Sequence, residues 1–169
     1  DKLVAHCELL PSQSVGQCIY KHTAKEGLPV LANATIALMG VRESRNAFDR
    51  RPEQLNTSGI RMQFYKLMMG NWNSSLIDLG DIEEGETVED TYFVVKEIIA
   101  ELLEENIVPI IIGGTQDITY PTYRAFDGIK SMVNLVSIDS RFDFGDGEEL
   151  ISAHSYMSKI IEDKPINLF

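Results

Sequence analysis

The sequence predicts an α/β fold, with three α/β/α layers around a mainly parallel sheet. Short apolar runs rich in β-branched residues alternate with segments of helical periodicity. This alternation is typical of right-handed βαβ units, which place helices on both faces of one sheet. The 169 residues suit a single domain, residues 1–169, and no repeat or Pro-rich linker divides them. Residues 1–33 have mixed polarity and weak periodicity, so we expect an irregular N-terminal segment.

The regular pattern begins with an apolar run at residues 35–39, which predicts a buried strand that Gly40 ends. A helix follows, because the next apolar residues recur at helical spacing. Its predicted buried face carries Ile60, Phe64, Leu67 and Met68. Its cap is one of three consecutive polar residues, Asn56, Thr57 or Ser58. We expect the helix to end at Gly70.

A second strand is predicted at residues 75–79 and stops at Gly80. The clearest helix comes next, because Thr87 and Asp90 have the spacing of a capping box. Its apolar residues repeat at intervals of three and four, at Val88, Tyr92, Val95, Ile99 and Leu102. The opposite face of this helix is acidic and is expected to face water.

Residues 107–112 predict a third strand that is apolar along its whole length. Such a strand is expected to be covered on both sides. Pro109 lies within it and predicts either the first residues of the strand or an edge position. A short helix over residues 121–126 is predicted next, with Thr119 near its cap.

Residues 133–138 predict a fourth strand that runs directly into Asp139. In open parallel sheets, ligands bind beyond the carboxyl ends of the strands. The loops at that edge begin at Gly40, Gly80, Gly113 and Asp139. We therefore expect any functional site among these four loops.

The charge and the apolar runs exclude several classes of function. A formal net charge of -11 and a pI near 4.6 would repel a phosphate backbone, so nucleic-acid binding is not expected. No apolar run approaches the roughly 18 residues that span a bilayer, and the start does not resemble a signal peptide. We therefore expect a cytoplasmic protein without membrane association. Two cysteines are too few for a disulfide framework.

Three further features of the sequence could indicate a ligand site, but each has a simpler interpretation. The ligand types of a zinc site occur at His6, Cys7, Cys18 and His22, but without the paired spacings of closed sites. The glycine pair at residues 113–114 lacks the further residues of a phosphate loop or a dinucleotide fingerprint, so a plain strand-to-helix turn is its default interpretation. The single Trp72 is expected to be a packing or interface residue.

Two carboxylates leave the fourth predicted strand four residues apart, Asp139 and Asp143. They could converge on a hard divalent cation, because carboxylate oxygens are its preferred ligands. Further oxygens follow nearby at Asp146, Glu148 and Glu149. The alternative is a solvated acidic turn, whereas the spacing excludes an EF-hand.

Four segments together resemble the ureohydrolase family, which comprises arginase, agmatinase and formimidoylglutamase. Residues 113–119, GGTQDIT, are similar to that family's Gly-Gly-Asp-His-Ser motif, and residues 136–143, VSIDSRFD, are similar to its strand ending in Asp-Ala-His-x-Asp. Residues 37–41 and 78–82 also resemble family segments. The match runs from residue 33 to the C-terminus and is closest to the formimidoylglutamase-like branch. It implies an arginase-like fold of which this chain is the N-terminal half.

The resemblance implies a site with two manganese ions, which activate a bridging hydroxide to hydrolyse a linear amidine. Asp139 and Asp143 match carboxylate ligands, but Gln116 and Arg141 stand where the family has ligating histidines. Gln116 stays a candidate metal ligand, although a neutral amide coordinates a hard cation only weakly. A guanidinium has no lone pair and stays protonated. At 4 Å from a dication it would be repelled by roughly 8 kcal/mol at an effective dielectric near 20. Alternatively, Arg141 could pair with Asp139 or Asp143 in place of the metal.

His154 matches, less closely, a family histidine that faces the substrate, so it is the candidate catalytic residue; the alternative is a surface or capping histidine. The family's later Ser-x-Asp-x-Asp segment, which supplies further metal ligands, has no counterpart in this chain. The leading hypothesis is therefore a ureohydrolase-fold protein with a degenerate di-manganese site. It predicts little or no hydrolase activity, and it allows that no metal binds at all.

Two alternatives to the leading hypothesis remain open. One is an active metal-dependent hydrolase of C–N bonds in linear amidines, with formimidoylglutamate, agmatine or arginine as substrate. The other is a non-catalytic binding or assembly protein that takes a small guanidino or amidine ligand. The resemblance also implies a homo-oligomer.

Overall fold

The computed structural model describes residues 2–47, 56–71, 74–128, 132–145, 150–163 and 167–168. The first half contains, in chain order, α1 (Lys2–Glu8), α2 (Val15–Cys18), β1 (Tyr20–Lys21), β2 (Ile36–Val41), α3 (Thr57–Phe64) and β3 (Leu76–Ile82). The second half contains α4 (Val88–Glu104), β4 (Val108–Ile112), α5 (Thr119–Arg124), β5 (Asn134–Leu135), α6 (Tyr156–Asp163) and β6 (Asn167–Leu168). Short 3-10 turns, Gln116–Ile118 and Ala125–Gly128, flank α5. Trp72 lies outside the described residues, so its predicted packing role stays a prediction.

The main sheet has four parallel strands in the order β1-β3-β2-β4. This confirms the predicted α/β class and the parallel sheet. The register between β2 and β3 shifts between Leu38 and Gly40, where the two strands are irregularly paired. Gly40 is required there, because a Cβ atom would overlap the carboxylate of Asp81 on β3.

Helices cover the two faces of this sheet. On one face, α4 packs Val95, Ile99 and Leu102 against Ala37 and Met39 of β2. On the other face, a second apolar cluster joins α1, α2 and the end of α3 to the start of β3, through Cys7, Val15, Ile19, Tyr65 and Leu76. The N-terminal residues that the sequence predicts to be irregular therefore form two helices and the edge strand β1. No helix in the described part of the chain is long and apolar enough to cross a membrane.

α4 is the element that the sequence predicts best. The Thr87 side chain accepts from the Asp90 N–H at 3.1 Å, and the Asp90 carboxylate accepts from the Thr87 N–H at 2.8 Å, which confirms the capping box. Tyr92, Val95, Ile99 and Leu102 are buried, as predicted. The start of this helix is therefore fixed by its own side chains.

The predicted buried face of α3 is wrong at three of its four residues; only Phe64 is half-buried and packs against the second apolar cluster. Asn56 does cap the helix, accepting from the Gly59 N–H at 2.9 Å, but the helix ends at Phe64 instead of Gly70. Ile60, Leu67 and Met68 are exposed, whereas Thr57, Arg61 and Tyr65 are buried. The buried face is polar because β3 presents Asp78 and Asp81 to it, and Arg61 donates from Nε to Asp78 at 2.8 Å.

β4 lies at the end of the four-stranded sheet, which confirms the edge position that Pro109 predicts. The prediction that this strand is covered on both sides is wrong. Ile111 packs against the core formed with α4, but Val108 is 58% exposed and Ile110 is 42% exposed. Their side chains point to the other face of the sheet, where the second apolar cluster packs against Leu76 of β3 and Ile36 of β2.

The fourth predicted strand is much shorter than the sequence indicates. Only Asn134–Leu135 forms a strand, β5, and it pairs in parallel with β6 instead of joining the main sheet. Val136 and Ile138 follow without regular structure, and Ile138 is 99% exposed. Strand residues need a neighbouring backbone, and none of the described residues supplies one at positions 136–138.

Candidate carboxylate site

The loop after β4 brings Gln116 to the carboxyl edge of the sheet. Gly113 and Gly114 have φ angles of 80° and 71°, a left-handed conformation that favours glycine, so the pair is needed for this turn. The Thr115 N–H donates to the Glu43 carbonyl at 3.1 Å and ties the loop to the end of β2. The chain then enters a 3-10 turn that begins at Gln116.

Asp139 is an exposed carboxylate held by hydrogen bonds from two segments. The Gln116 side-chain amide donates to its Oδ2, and the Arg141 backbone N–H donates to its Oδ1 at 3.2 Å. Partial desolvation would raise the pKa of Asp139, but the Arg141 and Ser140 backbone and the Gln116 amide together hold that pKa below its ordinary value. Asp139 is therefore charged at neutral pH.

Asp143 is buried, with 6% of its surface exposed. Its φ angle of 49° is unusual for a residue other than glycine, although Asp tolerates it better than most. Its Oδ1 lies 3.5 Å from Nδ1 of His154, while Oδ2 is buried and has no hydrogen-bond partner among the described residues. Burial raises the pKa of Asp143; the hydrogen bond with His154 opposes this, but the nearby Asp139 carboxylate raises the pKa further, so it stays above its ordinary value.

The structure thus brings together Gln116, Asp139, Asp143 and His154, as the sequence predicts. The side chain of Arg141 does not join them. It is exposed and, within the described ranges, forms no ion pair with Asp139 or Asp143, so only its backbone contacts the site. Asp146, Glu148 and Glu149 lie outside the described residues.

A buried hydrogen-bond network lies beneath the site and was not predicted. The carboxylate of Asp117 accepts from the hydroxyls of Tyr92 and Thr115, and burial raises its pKa. Asn46 donates to the Tyr92 hydroxyl at 3.0 Å and to the Ile151 carbonyl at 2.8 Å. The network therefore links the Gln116 loop, α4 and the segment before His154. The sequence signal for it was Asp117 itself, next to Gln116, but Tyr92 could be predicted only as a core residue.

Glu43 is another buried carboxylate, and its positively charged partner is the side chain of Arg45. Arg45 forms a two-pronged ion pair with it, with Nε at 3.0 Å and a terminal nitrogen at 2.5 Å, and the Thr91 hydroxyl donates at 2.9 Å. Burial alone would raise the pKa of Glu43, but these hydrogen bonds outweigh it and lower that pKa. Glu43 therefore anchors the end of β2 to the start of α4.

Metal-binding capacity in the described part of the chain is small. In those residues, no group of three or more His, Cys, Asp or Glu side chains is arranged so that it could hold a metal ion. Cys7 is buried and Cys18 is exposed, so the described structure gives no support to the zinc interpretation. The carboxylate site offers two acidic side chains, one amide and one imidazole, a set too small to fit two metal ions by itself.

The family model for the arginase family matches residues 34–167 of the sequence. The chain belongs to the arginase family. No curated protein sequence matches it.

Solved structures with the same fold include three from this family. Formimidoylglutamase from Bacillus subtilis is 18% identical with a TM-score of 0.71, and the match covers 89% of this chain and 49% of that one. Agmatine ureohydrolase of Thermoplasma volcanium is 21% identical with a TM-score of 0.69, covering 92% and 52%. Formiminoglutamase from Trypanosoma cruzi, solved with Mn²⁺, is 20% identical with a TM-score of 0.68, covering 79% and 49%.

This arginase-family chain spans about half the length of the solved relatives that it matches. At these identities the likeness shows the fold, and it does not transfer an activity. The family model confirms the predicted family, and the solved structures confirm the predicted arginase-like fold.

Proposed function

We propose that this chain has the arginase fold with a degenerate metal site, and that it hydrolyses linear amidines little or not at all. The observation that carries the proposal is the Gln116 side-chain amide, which donates a hydrogen bond to Asp139. An amide N–H bound to this oxygen occupies a position that a metal ion would need. The neighbouring Arg141 adds a fixed positive charge that opposes a dication.

The local donor set also supports this proposal. A manganese ion prefers about six oxygen or nitrogen ligands, and two ions need more than two carboxylates. Asp139 and Asp143 are the acidic ligands at this point of the described chain. Manganese, the family's cofactor, would therefore bind weakly, or fewer than two manganese ions would bind per chain.

Metal content and turnover test the proposal together. The protein is purified with Mn²⁺ and analysed for bound metal, then assayed for urea, ammonia and formamide from arginine, agmatine and formimidoylglutamate. We expect well under one manganese per chain and no product above background. The double variant Gln116→His/Arg141→His should raise metal content, whereas Arg42→His, in an exposed arginine paired with Glu83, should not. Two manganese ions per unmodified chain would refute the proposal.

A second candidate, an active hydrolase with a single cation, is favoured by Asp143. Its Oδ2 is buried without a partner in the described residues, on a backbone with positive φ, and such features cluster at functional sites. In this case His154 is the candidate catalytic residue, because its imidazole contacts Asp143. The same substrate panel, run with Mn²⁺ and with EDTA, separates the candidates: metal-dependent product that His154→Ala abolishes would establish the hydrolase.

Three further properties belong to the proposal and follow from family resemblance and composition. We propose a small guanidino or amidine ligand, a homo-oligomer and a cytoplasmic location. A ligand that binds only the folded state raises the unfolding temperature, so thermal shift with agmatine and arginine tests the first. Light scattering tests the second, and cell fractionation tests the third.

A further inference from the structure

An open groove lies between α4 and the segment formed by α5 and the 3-10 turn that follows it. It consists of two cavities, of about 370 Å³ and about 340 Å³, which meet at Lys96 and Arg124 because these two residues line both. We call the two cavities together the α4–α5 groove. None of its lining residues belongs to the carboxylate site, so an inference about the groove does not depend on the proposed function.

The groove runs along α4 and is long enough for a second helix. The α4 side chains on its wall recur at intervals of four and three residues, at Glu89, Phe93, Lys96, Ala100 and Leu103. This spacing places them in one row along the helix, as in the seam of a coiled coil. From Val88 to Glu104 the wall extends about 24 Å, at 1.5 Å per residue. A helix of about four turns can therefore pack against α4 here.

The walls of the groove carry apolar side chains that are exposed to water. Phe93 is 63% exposed and Leu150 is 89% exposed. The apolar residues that continue these walls are Val88, Leu103, Tyr120, Pro121 and Ile151. Single exposed apolar residues are ordinary, but a contiguous apolar patch rimmed by charged residues marks an interaction site. An amphipathic helix binds such a groove by placing its apolar face in it.

The two cations that line the groove are neutralised within the chain. The Lys96 amine lies 2.8 Å from a carboxylate oxygen of Glu97. The Arg124 guanidinium pairs with Asp127 at 2.7 Å and with Asp163 at 2.8 Å. The groove therefore offers little positive charge to an occupant, in a chain whose formal net charge is -11. An acidic occupant would be repelled.

Two acidic side chains at opposite ends of the groove favour a basic occupant. Glu89 and Glu104 form no ion pair within the described ranges, and about 22 Å of helix axis separates them. Glu104 lies in the last turn of α4, where no basic residue occurs. The C-terminal end of a helix is the negative end of its dipole, so a cation beside this glutamate would stabilise α4.

We infer that the α4–α5 groove binds an amphipathic helix of a different polypeptide. The apolar stripe of that helix packs on Phe93 and Leu103, and its lysine or arginine side chains reach Glu89 and Glu104. The shape and the apolar walls of the groove determine the helix, and the two unpaired glutamates determine its charge.

A second copy of this chain fits the groove less well. Among the described elements, α4 is the one helix longer than eight residues. Its exposed face carries Glu97, Glu101 and Glu104. Two α4 helices in contact would therefore bring like charges together, which is unfavourable.

Fluorescence anisotropy with labelled peptides tests the inference on this 169-residue chain. The probe is a helix of about 18 leucine and lysine residues with one apolar stripe. One comparison peptide has glutamate in place of lysine, and another has the same leucines and lysines in an order that forms no stripe. At about 0.15 M salt, we expect the Leu/Lys helix to bind at least about tenfold more tightly than either comparison peptide.

A pair of matched variants tests the apolar wall. Phe93→Asp should weaken binding of the Leu/Lys helix at least about tenfold, because it places a charge where an apolar side chain is expected to pack. Val94→Asp is the control, since Val94 is 40% exposed on the same helix but does not line the groove. Far-UV circular dichroism checks that both variants keep their helices.

A second pair of variants tests the charge of the occupant. Glu89→Lys/Glu104→Lys should weaken binding at least about tenfold, because it turns two attractions into repulsions. Glu101→Lys/Glu105→Lys makes the same change in net charge at exposed residues of the same helix end that do not line the groove. It should weaken binding less than about threefold, since exposed charges away from the contact are screened by salt.

Every other outcome overturns a stated part of the inference. Equal weakening by Phe93→Asp and Val94→Asp, or no binding of the Leu/Lys helix up to about 1 mM, would overturn the groove as a helix site. Tighter binding of the glutamate peptide, or equal effects of the two charge variants, would overturn the basic occupant. Light scattering of the chain alone tests the remaining occupant: a dimer that Phe93→Asp dissociates would replace the foreign helix with a second copy.

Discussion

Two pairs of carboxylates in this chain differ in whether an arginine neutralises them. On β3, the Asp78 carboxylate accepts hydrogen bonds from Nε of Arg61 at 2.8 Å and from the Tyr65 hydroxyl at 2.5 Å. Arg61 also forms an ion pair with Asp81. At the carboxylate site, Asp139 and Asp143 lie beside each other, and the exposed side chain of the adjacent Arg141 forms no ion pair with either of them in the described structure.

On β3, tertiary packing places Arg61 between two carboxylates, Asp78 and Asp81. Arg61 is 4% exposed and comes from a separate helix that packs across β3, so its position is fixed by tertiary structure. Arg141 lies in the same turn as Asp139 and Asp143, and its side chain is exposed. The first pair is therefore neutralised by a buried arginine, whereas in the second the described partner of Asp143 that can carry a positive charge is the imidazole of His154, 3.5 Å away.

The largest expected effect comes from breaking the contact between Arg61 and the first pair. Arg61→Met leaves Asp78 buried without its cation, and removing one partner of a buried ion pair costs about 3–5 kcal/mol of unfolding free energy. Urea denaturation measures this loss. Arg42→Met is the matched control, because its ion pair with Glu83 is exposed and such pairs contribute about 0–1 kcal/mol. Equal losses in the two variants would contradict the distinction.

Sequence reasoning predicted the local parts of this fold and missed those that depend on distant neighbours. The capping box at Thr87 and the apolar stripe of α4 depend on residues within a few turns, so they could be predicted. The polar buried face of α3 could not, because Arg61 is buried only by virtue of Asp78 on a later strand. The short length of β5 was missed for a related reason, since a strand needs a paired neighbour as well as an apolar sequence.

The candidate site was predicted in its membership but not in its geometry. Gln116 lies beyond the carboxyl end of β4, as the rule for parallel sheets predicts, whereas Asp139, Asp143 and His154 come from the irregular segment after β5 and the turn before α6. The family resemblance indicated these three residues, and the strand pattern did not place them correctly. The absence of an ion pair between Arg141 and these carboxylates in the described structure could not be predicted, because it depends on the backbone of their turn, where Asp143 has a φ angle of 49° that no spacing rule predicts. The roles of these residues stay predictions.

A smaller effect is expected at Glu43, another carboxylate that resembles the first pair because Arg45 neutralises it. Glu43→Gln should lower the unfolding free energy at pH 7 by about 1.5–3 kcal/mol, the range for a charged hydrogen bond. The folded pKa of Glu43 is lowered, so its contribution is present above its ordinary pKa of 4.5 and is lost as the pH falls through the folded pKa. Urea midpoints at pH 7 and pH 3 should therefore differ less in the variant than in the unmodified chain.

The carboxylate site should respond with the opposite sign. In this 169-residue chain with EDTA present, Asp143→Asn removes the repulsion from Asp139 and keeps a residue that tolerates positive φ. We expect it to raise the unfolding free energy by up to about 1 kcal/mol, the scale of a partly solvated charge pair. Asp78→Asn is the matched control and should lower it. A clear loss of stability in Asp143→Asn would show that this carboxylate already has its counter-charge within the chain.

The smallest expected effect on stability is that of Arg141→Ala, and it sharpens the comparison through a second measurement. Its exposed side chain makes no ion pair within the described structure, so the unfolding free energy should change by less than about 0.5 kcal/mol. Manganese binding should nevertheless become tighter, because a fixed cation near the carboxylates is removed. Titration calorimetry with MnCl₂, beside Arg42→Ala as control, measures this change. Unchanged affinity would mean that the guanidinium lies too far from the carboxylates to oppose a metal, and that Gln116 alone accounts for the weakened site.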